Sequence, residues 1–163
     1  RNDRKRKYQM RLSKNFTLQE FTKSQTALRM GIDNTPEGEH LEAAKALFEN
    51  VVQPVRENFG PTVINSGYRG PALNEAVGGS SKSQHCKGEA ADIECPGVPN
   101  ADIAQWIVDN LDFDQVILEF YTPGIPDSGW VHVSYRADGE NRKSILTAMK
   151  EDGKTVYKTG LIA

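Results

Sequence analysis

The sequence has only two cysteines and three histidines among its 163 residues. Two cysteines exclude a four-cysteine structural zinc site, and they are too few for the disulfide framework of a small secreted domain. No apolar run approaches the roughly 20 residues that span a bilayer, and the N-terminus lacks the apolar stretch of a secretory signal. These absences predict a soluble chain without a signal peptide. Cys86 and Cys95 are expected to be reduced thiols, with a disulfide that closes the short loop between them as the alternative.

Charge is unevenly distributed along the chain. The net charge is −2, yet residues 1–7 hold five basic residues and one acidic residue, so they carry +4 and the remainder carries −6. We expect residues 1–12 to form a flexible basic tail and residues 13–163 to form one domain, because a chain of this length fits a single core. A basic tail can also dock on nucleic acid. The acidic remainder argues against nucleic-acid binding as the main function.

The first two thirds of the chain favour helices. Thr17 and Glu20 have the spacing of a capping box, which predicts a helix start. A longer apolar stripe with steps of three and four follows, and Pro54 inside it predicts a kink or a restart. A further amphipathic helix is predicted over residues 99–110, with Asn100 as its N-cap.

The remaining segments favour strands. Residues 62–69 and 89–94 show short strand patterns, and three more segments follow at 113–120, 130–135 and 143–150. The turn signal Glu151-Asp152-Gly153 predicts that the last strand pairs with residues 154–160 as a hairpin. Helices early in the chain and antiparallel strands late in it predict an α+β domain that ends in a β-hairpin.

Two separated segments contain candidate metal ligands. The segment "SQHCKGEAADIEC" places His85 seven residues before Asp92, with small residues between them, and "GWVHVSY" places His132 in a strand. Hydrolytic zinc sites take three protein ligands and leave a position for water, and two imidazoles with one carboxylate supply such a set. The spacing alone leaves open that each histidine is an ordinary hydrogen-bonded residue. His40, among charges at a helix start, is predicted to be a surface residue.

These segments carry a resemblance to a known family. "SQHCKGEAAD" fits the pattern Ser-x-His-x-x-Gly-x-Ala-x-Asp, and "WVHVSY" follows it. Together they resemble the zinc peptidases of the D-Ala-D-Ala carboxypeptidase family, peptidase family M15, in its compact branch common in phages and bacteria. "FTLQEFTKSQTALRMGIDN", "SGYRGPALNEAVGGSSKSQH" and "FDQVILEF" are similar to that branch in order and spacing. The resemblance covers roughly residues 13–136.

The resemblance implies a fold and a metal. The expected fold is the small α+β one shared with the hedgehog signalling domain, an antiparallel sheet flanked by helices with zinc on its open face. His85, Asp92 and His132 match the family's ligands, which implies one Zn²⁺ per chain. No His-Glu-x-x-His motif occurs, so the helical metalloprotease arrangement is excluded.

The catalytic base is less clearly marked. Some relatives have a glutamate three residues before the last ligand, but here Gly129 stands there. Glu119, a carboxylate in an otherwise apolar strand, is therefore the candidate base. The alternative is that Glu119 ends its strand and points to solvent, because the strand register decides which sheet face it occupies.

The resemblance also implies substrate contacts. Arg69 in "SGYR" is similar to the family's substrate-anchoring arginine, and a guanidinium suits a peptide carboxylate. A surface arginine after a turn is the alternative. Ser83 and Gln84 are further candidates for binding substrate or orienting the site. Tyr68 and Trp130 either wall the cleft or belong to the core. Cys86 is expected to point away, because a fourth protein ligand would close the site.

The implied activity is hydrolysis of an amide bond in the peptide part of bacterial peptidoglycan, of D-Ala-D-Ala carboxypeptidase or L-Ala-D-Glu endopeptidase type. The missing signal and the compact branch favour a phage lysin or a virion-associated wall hydrolase, acting at the cell wall or periplasm on the stem peptide, with other virion proteins as partners and no membrane. The alternative is a non-catalytic wall-binding or structural virion module on the same fold.

Overall fold

The computed structural model of the protein describes residues 10–163, and its mixed helices and strands confirm the predicted α+β class. The helices are α1 (Leu18–Thr22), α2 (Gln25–Met30), α3 (Glu39–Leu47), α4 (Gln53–Phe59), α5 (Pro71–Val77) and α6 (Asn100–Asn110). The strands are β1 (Arg11–Ser13), β2 (Phe16–Thr17), β3 (Val63–Ser66), β4 (Ala90–Glu94), β5 (Gln115–Glu119), β6 (Trp130–Ser134), β7 (Ser144–Glu151) and β8 (Lys154–Thr159). Within the described range, no helix has the length and apolar character to cross a bilayer.

The beginning of the domain differs from its predicted position. Strands β1 and β2 pair as a small antiparallel ribbon, and Leu12 in β1 is buried in the core. The tail predicted over residues 1–12 therefore extends too far into the folded domain, because a buried leucine anchors its last residues. Residues 1–9, with the basic cluster and its nucleic-acid alternative, lie outside the described residues.

The structure confirms the predicted helix start at Thr17 and the predicted helix irregularity near Pro54. Thr17 and Glu20 form the reciprocal capping box at the start of α1. Between α3 and α4, the helix widens into a π-helical segment, Phe48–Val52. Proline lacks an N–H group to donate to the preceding turn. The wider turn is therefore the interruption that Pro54 predicted.

Six strands form the main sheet in the order β3-β4-β6-β5-β7-β8. All neighbours are antiparallel except β5 and β7, which run parallel, so the sheet is mixed rather than purely antiparallel. The chain leaves β6 on one side of β5 and returns as β7 on the other side. The predicted hairpin joins β7 to β8 through Asp152 and Gly153, whose φ angles of 50° and 76° suit a type I′ turn.

The two faces of the main sheet have different surroundings. Alternate residues of the central strands face the core, including Ile93, Val116 and Val133, and they pack with the apolar sides of the helices. Phe48 packs edge-on against Phe21 within this core. Since side chains alternate along a strand, the residues between them point to the opposite face. That face carries the polar candidates.

Asn100 has a different role from the predicted N-cap. Pro99 occupies the cap position and Asn100 is the first residue of α6. Its buried Nδ2 donates to the carbonyl oxygens of Ser128 at 3.0 Å and Gly129 at 3.2 Å. The prediction was wrong because Asn100 already lies inside the first turn of α6, where its side chain bonds to the loop before β6 instead of capping the helix. Asn100 thereby fixes the entry to the strand that carries His132.

Candidate metal centre

His85, Asp92 and His132 converge on the open face of the sheet. Asp92 on β4 and His132 on β6 are directly paired in the antiparallel register, so their side chains share a face. His85 reaches the same point from a 3₁₀ turn, Gln84–Lys87, that precedes β4. One potential ligand atom from each residue lies within 4.8 Å of the other two.

The turn that carries His85 is shaped by its flanking residues. Ser83 caps it, because its Oγ accepts a hydrogen bond from the backbone N–H of His85 at 3.2 Å. Gly88 ends the turn with a φ of 74°, and a Cβ there would collide with the carbonyl oxygen of His40. Glycine at this position therefore permits both the left-handed backbone and the close packing that bring His85 over the sheet.

Hydrogen bonding also orients the imidazole of His85. Its Nδ1 lies 2.8 Å from the carbonyl oxygen of Gly67 and so donates to it. This bond places the N–H on Nδ1 and leaves the lone pair of Nε2 directed at Asp92, whose Oδ1 is 3.5 Å away. Metal-binding histidines usually have such a partner on the second nitrogen.

The separations among these atoms fit a metal ion. His132 Nδ1 is 3.0 Å from Asp92 Oδ1, and the two imidazole centroids are 5.1 Å apart. Two atoms that each bind zinc at about 2.1 Å in a tetrahedral arrangement lie about 3.4 Å apart. The observed separations of 3.0 and 3.5 Å bracket that value. Two imidazoles and one carboxylate are also a donor set that zinc accepts.

Asp92 is held in its ionised form. Burial alone would raise its pKa, but the hydrogen bond with His132 and the interaction with His85 outweigh burial and lower the pKa to about 2. A carboxylate must be deprotonated to bind a metal. Asp92 therefore meets this condition at any ordinary pH.

Glu119 lies on the same sheet face as the three potential ligands. Ile117 pairs with His132, and Glu119, two residues further on, pairs with Trp130. The Glu119 Oε2 accepts a hydrogen bond from the Trp130 Nε1–H at 2.6 Å. Burial and the negative charge of Asp92 raise the pKa of Glu119, and they outweigh the opposing effects of His132 and Trp130. The register thus places Glu119 inside the cleft, and the alternative of a solvent-pointing strand end does not apply.

Gly129 has no room for a side chain. Its φ is 65°, and a Cβ on it would collide with the carbonyl oxygen of Glu119 and the backbone of Phe120 and Tyr121. The glutamate that some relatives place at this position therefore does not fit this backbone. Within the described cleft, Glu119 is the carboxylate that remains beside the three potential ligands.

Replacing Gly129 with alanine is expected to lower the free energy of unfolding by about 3 kcal/mol or more, because a left-handed backbone and a steric clash both disfavour it. Gly139→Ala is the matched control. Gly139 has a φ of 79° but open space around a Cβ, so its cost should be about 1 kcal/mol. Urea unfolding measures both values, and equal losses would contradict the close approach at Gly129.

Arg69 and Ser83 lie together at one side of the centre. The backbone N–H of Arg69 donates to the carbonyl oxygen of His85 at 3.1 Å, and its Nη2 donates to Ser83 Oγ at 3.1 Å. Both residues line the cleft. The predicted anchoring arginine therefore has its guanidinium fixed beside the turn that carries His85, which argues against an unconstrained surface role.

Gln84 is engaged with a buried carboxylate that the sequence did not single out. Its Nε2 donates to Asp114 Oδ2 at 2.9 Å. Asp114 has only 1% of its side chain exposed, and Arg142 donates to it through Nε and Nη2. An aspartate at the start of an apolar strand was the available signal, since a buried carboxylate requires partners. Gln84 also lines the cleft.

Replacing Asp114 with asparagine is expected to destabilise the protein by about 2 kcal/mol at pH 7, because two charge-assisted contacts are lost. Burial alone would raise the pKa of Asp114, but hydrogen bonds from Arg142 and Gln84 hold it below its usual value of 3.8. The carboxylate's stabilisation is therefore present above that usual value and lost as pH falls through the lower folded pKa. The gap between parent and variant should shrink between pH 7 and pH 3 in urea unfolding.

Asp112→Asn is the control for that measurement, because Asp112 is half exposed and weakly paired with Lys143 at 3.8 Å. The hydrogen bond that Asn141 Nδ2 donates to it at 3.1 Å can also be accepted by the asparagine oxygen. Its substitution should change stability by less than about 0.5 kcal/mol. A gap between the parent and Asp114→Asn that stays constant across this pH range would contradict the stabilising role of the ionised Asp114.

The remaining candidate residues lie either in the cleft or in the interior of the domain. Trp130 lines the cleft, whereas Tyr68 is buried in the core. His40 is not the predicted surface residue, because its Nδ1 lies 2.9 Å from the Tyr68 hydroxyl as α3 packs against the 3₁₀ turn. Cys86 is a free thiol that lines a separate cavity, as expected for a residue pointing away from the centre, and Cys95 is free and buried.

The cleft over this centre has a volume of about 580 Å³ and is widely open to solvent. It holds all three potential metal ligands and Glu119. It also contains residues from the C-terminal part of the chain, namely Arg142 and Tyr157. An open groove of this kind can admit an extended ligand, whereas a closed pocket would not.

Comparison with known proteins identifies one family. A family model described as peptidase M15 matches residues 14–134, well over half of the chain. No curated protein matches the chain. The matched range includes the three potential ligands, Glu119 and Arg69, whereas Arg142 and Tyr157 lie beyond its end.

Proposed function

This chain belongs to the peptidase M15 family, and from that membership we propose that it is a zinc-dependent peptidase that hydrolyses an amide bond in the peptide part of bacterial peptidoglycan. The convergence of His85, Asp92 and His132 beside Glu119 in one open cleft carries this proposal. The similarity to the compact phage and bacterial branch supports the finer proposal of a phage lysin or virion-associated hydrolase that meets its substrate at the cell wall or periplasm.

The three ligand candidates would hold the metal. When bound, zinc polarises a substrate carbonyl and makes a water nucleophile available near neutral pH. His85 is kept in the required tautomer by its bond to Gly67. Asp92, ionised and flanked by both imidazoles, supplies the negative charge that favours a divalent cation.

Glu119 is the proposed general base and acid. Its Oε2 is held by Trp130, so its Oε1 is the oxygen that takes the proton of the attacking water. The same group then gives a proton to the departing amine. A raised pKa suits the first of these steps, because a carboxylate with an ordinary pKa would be a weaker base towards the attacking water.

Arg69 is the proposed substrate anchor. Its backbone N–H donates to the carbonyl oxygen of His85, and its guanidinium donates to Ser83 Oγ at the side of the cleft. A substrate carboxylate bound there would be placed at a constant position relative to Glu119. Fixed placement of this kind lowers the barrier by removing rotational freedom before the reaction.

The direct test is digestion of purified peptidoglycan by the zinc-loaded protein, with mass spectrometry of the released muropeptides. The parent should release new free amines and peptide fragments whose masses identify the bond cut. His132→Ala should release none above the background. No release by the parent, or equal release by both proteins, would overturn the proposed activity.

A further inference from the structure

The lining of the cleft contains two cations, Lys82 and Arg142, in addition to the proposed substrate anchor Arg69. The chain has a net charge of −2, yet Arg69, Lys82 and Arg142 all line this groove. A bound divalent cation would add two further positive charges. Asp92 and Glu119 in the cleft and Asp114 against Arg142 balance only part of the total. A groove of this charge attracts anions and raises their local concentration.

Arg142 is not a loosely held surface cation. Its Nε lies 3.1 and 3.2 Å from the two carboxylate oxygens of Asp114, and its Nη2 lies 2.8 Å from Oδ2. Its backbone N–H also donates to Asp114 at 3.0 Å. The side chain nevertheless remains 58% exposed and lines the cleft. Within residues 10–163, its Nη1 has no hydrogen-bond partner, so one edge of a fixed guanidinium is left for a ligand.

The two arginines flank consecutive residues before His85. Arg69 donates to Ser83 Oγ, and Arg142 shares the Asp114 carboxylate with Gln84. Both guanidiniums are therefore anchored around the short segment that leads into the metal centre. Along the strands they lie at the same end of the sheet, because Arg69 follows the last residue of β3 and Arg142 precedes the first residue of β7.

The opposite end of the cleft has a different character. Glu119 pairs with Trp130 on one side and with Ala148 on the other, and Ala148 pairs with Tyr157. The row of Glu119 lies two residues from the row of Asp92 and His132 along the strands. The first residue of β7, which follows Arg142 closely in the chain, lies two residues from the same ligand row in the opposite direction. The cleft is therefore basic at one end and carries Glu119 with aromatic rings at the other.

From this arrangement we propose that Arg142 forms a second carboxylate subsite beside Arg69, so that the substrate is a peptide with two free carboxylates on one side of the scissile amide. The inference rests on the proposed function and narrows its substrate class. A D-glutamyl leaving group linked through its γ-carboxyl has a free α-carboxylate in addition to a downstream carboxylate. A departing terminal D-alanine has only one. The subsite therefore favours the L-Ala-D-Glu bond.

A binding experiment tests this subsite without relying on turnover. Two synthetic stem peptides differ only at the D-glutamyl α-carbon, which bears a free carboxylate in one and a carboxamide in the other. Titration calorimetry measures their affinities for zinc-loaded protein with Glu119→Gln in every variant. The protein with Arg142 intact should bind the carboxylate form about tenfold more tightly, the scale of one charge-assisted hydrogen bond.

Substitution of Arg142 should remove this preference. Arg142→Gln is expected to bring the ratio of the two affinities close to one, and Arg142→Lys, which keeps the charge but not the fork, should give an intermediate ratio. Lys143→Gln is the matched control. It removes one positive charge from the adjacent residue, whose side chain is 64% exposed, pairs with Asp112 and does not line the cleft, so the ratio should stay near ten.

The outcomes distinguish loss of the Arg142 subsite from damage to the fold and from failure of the proposed hydrolysis. Damage to the fold by Arg142→Gln would weaken both peptides equally and leave their ratio unchanged, which would overturn the subsite. Equal affinities for the protein with Arg142 intact, or no binding of either peptide, would also overturn it. Failure of the proposed hydrolysis would instead appear as a lack of muropeptide release by the parent, which the calorimetry does not measure.

Discussion

Replacing Asp92 with alanine is expected to weaken zinc binding by at least about a hundredfold, because loss of a partner outside the ligand set already costs up to that factor. Asp92 lies between both imidazoles, with its Oδ1 3.0 Å from one ring and 3.5 Å from the other. Its removal deletes the only anionic member of the set. Titration against a chromophoric chelator measures the change directly.

Thermal unfolding provides a second measurement of the same effect. Zinc at a hundredfold excess over its dissociation constant should stabilise the parent by about 2.7 kcal/mol. If the Asp92→Ala variant binds a hundredfold more weakly, the same zinc concentration should stabilise it by only about 0.4 kcal/mol. The comparison with and without zinc cancels any effect of the substitution on the metal-free protein.

Asp112→Ala is the control for both measurements, since it removes an exposed carboxylate that lies outside the candidate centre. It should leave zinc affinity and the zinc-dependent stabilisation unchanged. Parent-like zinc affinity in Asp92→Ala would show that the metal binds elsewhere, and the assignment of these three ligands would then be wrong.

Local patterns predicted the strands that carry Asp92 and His132, but not that the two residues share a site with His85. Asp92 and His132 occupy short strands with clear alternation, and direct pairing of those strands brings the two side chains together. His85 required more, since its position depends on a 3₁₀ turn that ends at Gly88 against the backbone of His40. The family resemblance, not the local pattern, linked this residue to the other two.

The sequence was less informative where long-range packing decides the outcome. Asn100 has the residue type of an N-cap, yet a loop almost thirty residues away takes its amide. His40 has charged neighbours, yet its ring contacts Tyr68. The parallel pairing of β5 with β7 likewise depends on where the chain crosses the sheet, which no periodicity encodes. In each case the competing partner is distant in sequence.

The network around Asp114 illustrates the same limit at the cleft. Gln84 was expected to contact substrate or orient the site. Its side chain donates to Asp114, thirty residues away in the chain, and Arg142 donates to the same carboxylate. Arg142 itself follows the segment that resembles the family. The part of the cleft that would set substrate preference therefore comes from tertiary contacts rather than from the ligand motif.

Replacing Glu119 with glutamine is expected to reduce peptidoglycan hydrolysis by about a hundredfold to ten-thousandfold, the usual contribution of a general acid–base group. Glutamine is nearly isosteric and its amide oxygen can still accept the hydrogen bond from Trp130 Nε1. The geometry of the cleft should therefore persist while the ability to exchange a proton is lost. The initial rate of amine release from purified peptidoglycan measures this effect.

Measurement of zinc affinity shows whether Glu119→Gln has lost only its general base or also the metal site. Glu119 is not among the three residues whose potential ligand atoms converge. The zinc affinity of Glu119→Gln should therefore lie within about threefold of the parent's. Removal of a ligand's supporting partner would instead lower the affinity about tenfold to a hundredfold. Glu140→Gln, a change of the same charge at an exposed position outside the cleft, should retain both activity and zinc. If Glu119→Gln hydrolyses peptidoglycan at the parent rate, another group moves the proton. If it loses zinc together with activity, Glu119 supports the metal instead of serving as the base.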